Sequence, residues 1–288
     1  MQGKTMIDSR KGQKSMLDVA KEAARAAGEF LKERFLEQLT PDEELHNDVK
    51  LPEDKGSEQR IIEVLHRHFP SHTIYSEEVG MVSRDEEYVW IVDPLDGTNN
   101  YFIGHPYFSI SIALQHKGEL VLGVVYNPVA GQMFWAEKGK GAFLNGRRMS
   151  INNRTDLTRA VGTYIRGRNT VTKEEELAFT EPFVLNTKRI LRNVAPALDW
   201  CLLANGWLDY IVMQRSGIMD VAAGIVIASE AGATITDWQG NPYRHEPFVQ
   251  DQVRSLVATN GHLHGSIRGL LVEQSMAADC SRQALPHG

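Results

Sequence analysis

The chain is predicted to fold as a layered α/β domain with mixed strands rather than one purely parallel sheet. Three observations lead there. A long amphipathic helix stands near the start, a series of short strands separated by turn residues begins at Tyr88, and strand-like and helical segments alternate after about residue 150.

Taken in order, Leu17, Ala20, Ala24, Ala27, Leu31 and Phe35 recur at helical spacing, which predicts a first helix over about 16–36. The polar stretch Pro41 to Lys55 reads as a loop or hairpin. Ser57 to His68 reads as a second helix, with Ile61, Ile62 and Leu65 on one face. Tyr88 to Val92 is a short apolar run stopped by Asp-Pro, the pattern of a strand ending in a turn. Phe108 to Gln115, Leu120 to Tyr126 and Gln132 to Ala136 follow as strands of an antiparallel meander around Lys117-Gly118 and Pro128 to Gly131. The second half offers a strand at Ala160 to Ile165, a helical run near Ala197 to Asn205 and a strand at Tyr210 to Met213. A small-residue helix from Val221 to Ala231 closes on Gly232 as its C-terminal cap. Residues beyond about 273 are polar and aperiodic and read as a frayed tail.

At 288 residues, 42% hydrophobic and 24% charged, the chain is long enough for one large domain or two tightly packed halves. Its 31 Lys and Arg stand against 37 Asp and Glu, a net charge of -6, which gives no electrostatic reason to expect nucleic acid as a partner. Cys201 and Cys280 suggest neither a disulfide framework nor a zinc cluster, so a cytoplasmic setting is expected. No apolar run reaches the length of a membrane span, and the start lacks the apolar stretch of a secretory signal.

The densest chemical signal is Asp93-Pro94-Leu95-Asp96-Gly97-Thr98-Asn99, directly after the Tyr88 to Val92 strand. The proline fixes φ and the glycine permits close backbone approach, so both carboxylates and the Gly97 and Thr98 amides can converge on one small volume. If Gly97-Thr98 opens a helix, those amides form an anion site. Two carboxylates about 4 Å apart repel by roughly 4 kcal/mol at an effective dielectric near 20, so such a group calls for protonation or cations. Oxygen ligands without paired His or Cys favour Mg²⁺. The competing reading is an Asx-type turn with both acids solvated. Further acids have the right type but weaker context. Glu77 and Glu78 follow apolar Ile74-Tyr75 and can sit at a strand end, Asp220 can be a plain helix N-cap, and Asp54 can be a solvated loop acid or cap.

Taken together, Asp54…Glu58, Ser76-Glu77-Glu78, the Asp93 to Asn99 heptapeptide and Asp220-Val221-Ala222-Ala223-Gly224 resemble, in order and spacing, the motif set of the inositol monophosphatase family, within the magnesium-dependent, lithium-sensitive phosphatase superfamily. The resemblance covers roughly residues 16–270. It implies an αβαβα layered sandwich of the sugar-phosphatase type, with an N-terminal half (1–150) carrying most metal ligands, a C-terminal half (151–272) carrying Asp220 and the substrate-alcohol contacts, and a tail (273–288). It implies two or three Mg²⁺ ions held by Glu77, Asp93, the backbone carbonyl of Leu95, Asp96 and Asp220, with Glu78 in a supporting role. Catalysis would fall to Thr98, paired with Asp54 to activate a water in line with phosphorus, and to Glu77. Substrate contacts would come from Asp96, Gly97, Thr98, Ala195, Pro196, Met213 and Asp220. A homodimer and a small phosphorylated metabolite, with no nucleic acid or membrane partner, complete the expectation.

Departures from the family pattern bear on the substrate. Where the family carries Gly-Ser/Thr-Ala-Ala, this chain has Val194-Ala195-Pro196-Ala197, so one hydroxyl and one N–H are gone. Met213 replaces a glutamate and Met219 a tryptophan. Inositol or sugar monophosphates are therefore weighed against histidinol phosphate, fructose 1,6-bisphosphate and adenosine 3′,5′-bisphosphate, and a catalytic role against a regulatory or scaffold role that keeps the fold. His105 can donate to a leaving group or merely pack. Arg166, Arg168 and Arg192 can reach a second phosphate or a neighbouring subunit, with solvated loop charge the commoner reading, and Trp90, Trp135, Trp200 and Trp207 read as core or subunit contacts.

Overall fold

The computed structural model describes residues 14–45, 48–82, 87–167, 172–245 and 253–271; Arg168, Cys280 and the tail from residue 273 lie outside them. Helix α1 (Met16–Arg34) starts where the Ser15 hydroxyl accepts the Asp18 N–H at 3.1 Å, and it buries Leu17, Ala20, Ala24, Ala27 and Leu31 as the periodicity predicts. The stretch read as loop or hairpin holds the antiparallel pair β1 (Glu43–Leu45) and β2 (Asp48–Lys50).

Helix α2 (Pro52–His68) begins five residues before the predicted Ser57. Pro52 is pre-organised for a first turn, and the Asp54 carboxylate accepts the Leu51 N–H at 2.8 Å, so a polar segment becomes helical. Then follow β3 (Thr73–Ser76), β4 (Gly80–Val82), β5 (Tyr88–Asp96), α3 (Thr98–Phe102), β6 (Ser109–His116), β7 (Glu119–Asn127), β8 (Gln132–Glu137), β9 (Gly141–Leu144) and β10 (Arg147–Arg148). The second half contributes β11 (Val161–Arg166), α4 (Lys173–Asn186), β12 (Arg189–Leu191), α5 (Pro196–Ala204), β13 (Tyr210–Gly217), α6 (Ala222–Glu230), β14 (Thr234–Asp237) and β15 (Val253–Thr259). Residues 264–271 are helical.

Two sheets form the frame. One has eight strands in the order β10-β9-β8-β7-β6-β5-β3-β4, the other five in the order β12-β11-β13-β15-β14. The run β5 to β8 is the expected antiparallel meander, while β3 joins β5 in parallel.

Side-chain alternation shows the layers. Trp90, Val92, Ile110, Ile112, Leu122 and Val124 face α1 and α2, whereas Val89, Ile91, Ala113 and Val125 face α5 and α6. Ile211, Met213 and Ala258 close that middle core from the second sheet, while Tyr210, Val212 and Val257 face α4 and the helical residues 264–271. The sequence of layers is helices, sheet, helices, sheet, helices. Strands buried on both faces carry apolar residues at consecutive positions, which is why their periodicity is weak in the sequence. Gly123 lets α6 sit directly on β7, since a Cβ there would lie 2.4 Å from the Ala223 carbonyl oxygen. Among the described residues, no helix is long and apolar enough to cross a membrane.

Candidate active site

Strand β5 passes through the Asp93-Pro94 step, where the sequence suggested an end, and continues to Asp96. It does so through a bulge, with Asp93 opposite Ser111 and Asp96 opposite Ser109. Pro94 has no N–H for the ladder, so the irregularity falls where pairing is already lost. The carboxylates of Asp93 and Asp96 both border one cavity of about 420 Å³. The Leu95 N–H donates to Asp93 Oδ1 at 3.1 Å. Gly97 has φ 92° and caps α3, which opens at Thr98 as the anion-site reading requires. A Cβ on Gly97 would lie 3.0 Å from Ala195 Cβ and 3.1 Å from the Tyr107 carbonyl oxygen, so both conformation and space demand glycine.

One face of α2 braces this turn. Asp54, Ser57 and Glu58 stand at i, i+3 and i+4 and are buried. The Thr98 hydroxyl lies 3.2 Å from Asp54 Oδ1 and 3.0 Å from the Leu95 carbonyl oxygen. The Ser57 hydroxyl donates to the Pro94 carbonyl at 2.7 Å. Glu58 Oε1 accepts the Glu78 and Val79 N–H groups at 3.0 and 3.2 Å, holding the turn that carries Glu77.

Strand pairing sets Glu77 next to Asp93 in register, although Glu77 is not among the residues that line the cavity. In the parallel pair β3 and β5, Ser76 stands opposite Val92, so Glu77 and Asp93 leave neighbouring strands side by side at the same end of the sheet. Asp220 comes from the far half. It precedes Val221, the cap of α6, and its carboxylate accepts the Ser216 hydroxyl at 3.2 Å while bordering the same cavity as Asp93 and Asp96. A bulge between Met213 and Ser216 carries β13 on to Gly217, past the predicted end at Met213, and sets this position.

The electrostatics follow from crowding acids out of water. Burial first, then the Asp220 charge, pushes the Asp96 carboxyl well above its usual range; the Ser109 hydroxyl and the Ala197 N–H, 3.0 and 3.1 Å from Oδ2, oppose the shift. Burial, with Glu77 and Glu78 nearby, raises Asp54 to about 7 against the Leu51 and Thr98 donors. Among the described residues, no three carboxylate, imidazole or thiol groups converge tightly enough to cage an ion by themselves. The donors that do border the cavity, Asp93, Asp96 and Asp220, are all carboxylate oxygens, the donor chemistry that suits a hard cation such as Mg²⁺.

Of the other residues singled out, Ala195 and Pro196 border the cavity, whereas Met213 is fully buried in the middle core and its carbonyl accepts the Trp238 indole N–H. His105 is exposed and stacks on Tyr107. Arg166 ends β11 at the cavity and is ion-paired to Glu176 at 2.9 Å, which corrects its reading as a solvated loop charge; Arg192 reaches the same glutamate at 2.6 Å. Trp90 and Trp200 are core, while Trp207 is half exposed.

Sequence reasoning missed Asp199. It lies in α5, is fully buried, and accepts from Tyr107 Oη at 2.8 Å, Asn193 Nδ2 at 2.6 Å and Thr163 Oγ1 at 2.9 Å. Asn100 adds to this clamp by donating to the Tyr107 and Asn193 carbonyls, both at 2.7 Å, which ties the β5–α3 turn to the second half. The clamp holds Val194 at φ 56°, a left-handed conformation costing a β-branched residue about 1 to 2 kcal/mol. Donors drawn from elements far apart in the chain leave no local signal.

Burial raises Asp199 to about 6 despite its three donors. The folded state therefore holds this proton more tightly than the unfolded chain, whose carboxyl titrates near 3.8. The resulting loss of stability is absent below about pH 4, grows as pH rises, and is complete above about 6. At ~1.36 kcal/mol per unit it is on the order of 3 kcal/mol. Urea melts at pH 4 to 7 are expected to show a smaller decline for Asp199→Asn than for wild type, and parallel declines would refute the assignment.

The comparisons with known proteins agree with this geometry. Residues 12–276 match the model of the inositol monophosphatase family. A fructose-1,6-bisphosphatase/inositol-1-monophosphatase of Aquifex aeolicus is 35% identical over 259 residues, covering 88% of this chain and 94% of the relative. A putative Nus factor SuhB of Neisseria meningitidis serogroup B is 37% identical over 228 residues, covering 78% of this chain and 87% of the relative. Among solved structures, the extragenic suppressor protein suhB of Bartonella henselae aligns with a TM-score of 0.80 at 31% identity, covering 88% of this chain and 97% of that one. An inositol monophosphatase from Anabaena aligns with a TM-score of 0.78 at 30% identity, covering 89% and 95%. With the match running from before α1 to beyond residue 271, and with the acids of both halves gathered at one cavity, the chain belongs to the inositol monophosphatase family and is a phosphomonoester hydrolase.

Proposed function

We propose that the protein is a Mg²⁺-dependent phosphatase that transfers the phosphoryl group of a small phosphomonoester directly to water, with no side chain phosphorylated on the way. The observation that carries this is the meeting of Asp93, Asp96 and Asp220 on one cavity beside the buried Thr98 and Asp54 pair. Glu77, Asp93, the Leu95 carbonyl, Asp96 and Asp220 would hold the ions. The chemistry supplied by ions bound there is a lowered pKa for the attacking water and neutralisation of the charge on phosphate and departing alkoxide.

The chain's own residues do the rest. Thr98 has one hydroxyl proton and two acceptors within reach, Asp54 Oδ1 at 3.2 Å and the Leu95 carbonyl at 3.0 Å. Committing that proton to Asp54 frees a Thr98 lone pair to accept from water. Asp54, raised to about 7, is poised to take a proton near neutral pH. The Gly97 and Thr98 amides, at the start of α3, would receive phosphate oxygens.

Phosphate release from a panel of inositol, sugar and nucleotide monoesters, with Mg²⁺ titrated from zero, tests the proposal. Saturable, Mg²⁺-dependent release is expected, and none across the panel would end it. The name of the Neisseria relative favours a second, regulatory reading. A protein partner retained by the Asp93→Asn protein would support it, and no partner recovered with either the wild type or that variant would count against it.

A further inference from the structure

The turn from Asn193 to Ala197 is the part of the second half that abuts the catalytic loop. Ala195 Cβ lies 3.0 Å from where a Gly97 Cβ would stand, and the Ala197 N–H is bonded to Asp96 Oδ2 at 3.1 Å. An alcohol esterified to a phosphate seated at Gly97 and Thr98 must therefore pass over residues 194–196.

What this turn offers is hydrocarbon. Val194, Ala195 and Pro196 all border the cavity, Val194 is 47% exposed, and Ile103, also at the cavity, is 73% exposed. Part of its backbone is already committed or lacks a donor. Pro196 has no N–H, the Ala197 N–H serves Asp96, and the Ala195 carbonyl accepts the Asp199 N–H at 3.3 Å. Glu44 and Asn99 also line the cavity, but the polar side chains of the second half that border it have protein partners. Asp199 takes three donors, Tyr164 donates to Gln214 at 2.7 Å, and Arg166 and Arg192 share Glu176. A β-branched residue is moreover held at φ 56°, so the backbone accepts strain to present this particular side chain.

We infer that the Val194 to Pro196 turn determines specificity, selecting a phosphomonoester whose alcohol presents an apolar face, such as a hydrocarbon ring, over one that presents a ring of hydroxyls. This rests on the hydrolase reading above and deepens it. Hydroxyls set against this wall lose water and gain few partners, whereas hydrocarbon loses only water.

The matched pair for the test is cyclohexyl phosphate and inositol 1-phosphate, which share a six-membered ring and differ in its hydroxyls. Kd is read by calorimetry with Ca²⁺ in place of Mg²⁺, so that turnover does not consume the ester, and kcat/KM is read with Mg²⁺, for wild type and for Val194→Gly/Pro196→Ala. That variant relieves the strained φ and restores an N–H at position 196. Polyol esters carry the more acidic leaving alcohol, so the decisive quantity is the change in the ratio between wild type and variant, where intrinsic reactivity cancels.

Wild type is expected to bind cyclohexyl phosphate more tightly than inositol 1-phosphate. The double variant is expected to move both the Kd and kcat/KM ratios toward inositol 1-phosphate by about tenfold or more. Ratios unchanged by the variant, or a wild type that binds the polyol more tightly, would overturn the inference. Failure to hydrolyse any ester would instead strike the hydrolase reading, while the Kd ratios would still decide the role of the turn. Should the double variant not fold, Val194→Gly alone is expected to move the ratios the same way, and a fixed ratio there would equally overturn it.

Discussion

Asp93→Asn is expected to lower kcat/KM by at least about 10³-fold and to cancel most of the Mg²⁺-induced rise in melting temperature. Asp93 is buried at the β5 bulge, where its Oδ1 accepts the Leu95 N–H at 3.1 Å, and asparagine can keep both shape and bond. What it removes is one negative charge from a cavity edge shared with Asp96 and Asp220. At an effective dielectric near 20, a unit charge about 4 Å from another is worth roughly 4 kcal/mol, so removing it weakens the hold on a divalent ion by orders of magnitude. A ligand stabilises a fold by RT ln(1 + [L]/Kd), and the Mg²⁺-dependent thermal shift reports that loss apart from turnover. Without metal, the same change relieves repulsion and is expected to raise the melting temperature. Wild-type activity within tenfold, or an undiminished Mg²⁺ shift, would show that Asp93 holds no ion.

Thr98→Ala is expected to lower kcat by about 10² to 10³-fold while KM stays within about threefold, with Thr98→Ser recovering most of the loss. The hydroxyl sits between Asp54 Oδ1 and the Leu95 carbonyl at 3.2 and 3.0 Å. A proton relay acts in the transition state, and general-base assistance is worth about 10² to 10⁴-fold. Alanine also leaves the buried Asp54 with one donor fewer, so a modest stability loss, on the order of 1 kcal/mol, should accompany the kinetic one. A defect confined to KM would place Thr98 in ground-state binding, and an inactive serine variant would mean that the methyl group's packing matters more than the hydroxyl.

Much of the site could be read along the chain because its geometry is local. The Asp93 to Asn99 segment contains its own proline, its own glycine at φ 92° and the start of α3, so bulge, cap and helix are specified within a few residues. Helix α1 was legible for the same reason, since its buried residues repeat every turn on one face. Helix α2 was legible only from Ser57 onward. Its first turn rests on Pro52 and the Asp54 bond to Leu51, a capping signal inside a polar stretch, and the early start is what sets Asp54, Ser57 and Glu58 on one face.

Local pattern decided that this chain would carry paired acids on a strand-to-helix turn, within a layered mixture of sheets and helices. Which acids meet was decided by pairings between distant segments. Glu77 stands next to Asp93 in register because β3 lies parallel to β5 with Ser76 opposite Val92, and Asp220 comes to the cavity from just beyond the end of β13 at Gly217. Asp96 is finished by an N–H 101 residues away, and Asp199 gathers Tyr107, Thr163 and Asn193 from three separate elements. Hydrophobic period and turn chemistry act over a few residues, whereas strand order and register arise from burying whole faces of sheets against helices. A carboxylate looks the same in the sequence whether it caps a helix in water or shares a buried cavity; only the packing of the layers around Asp220 and Asp199 sets them apart.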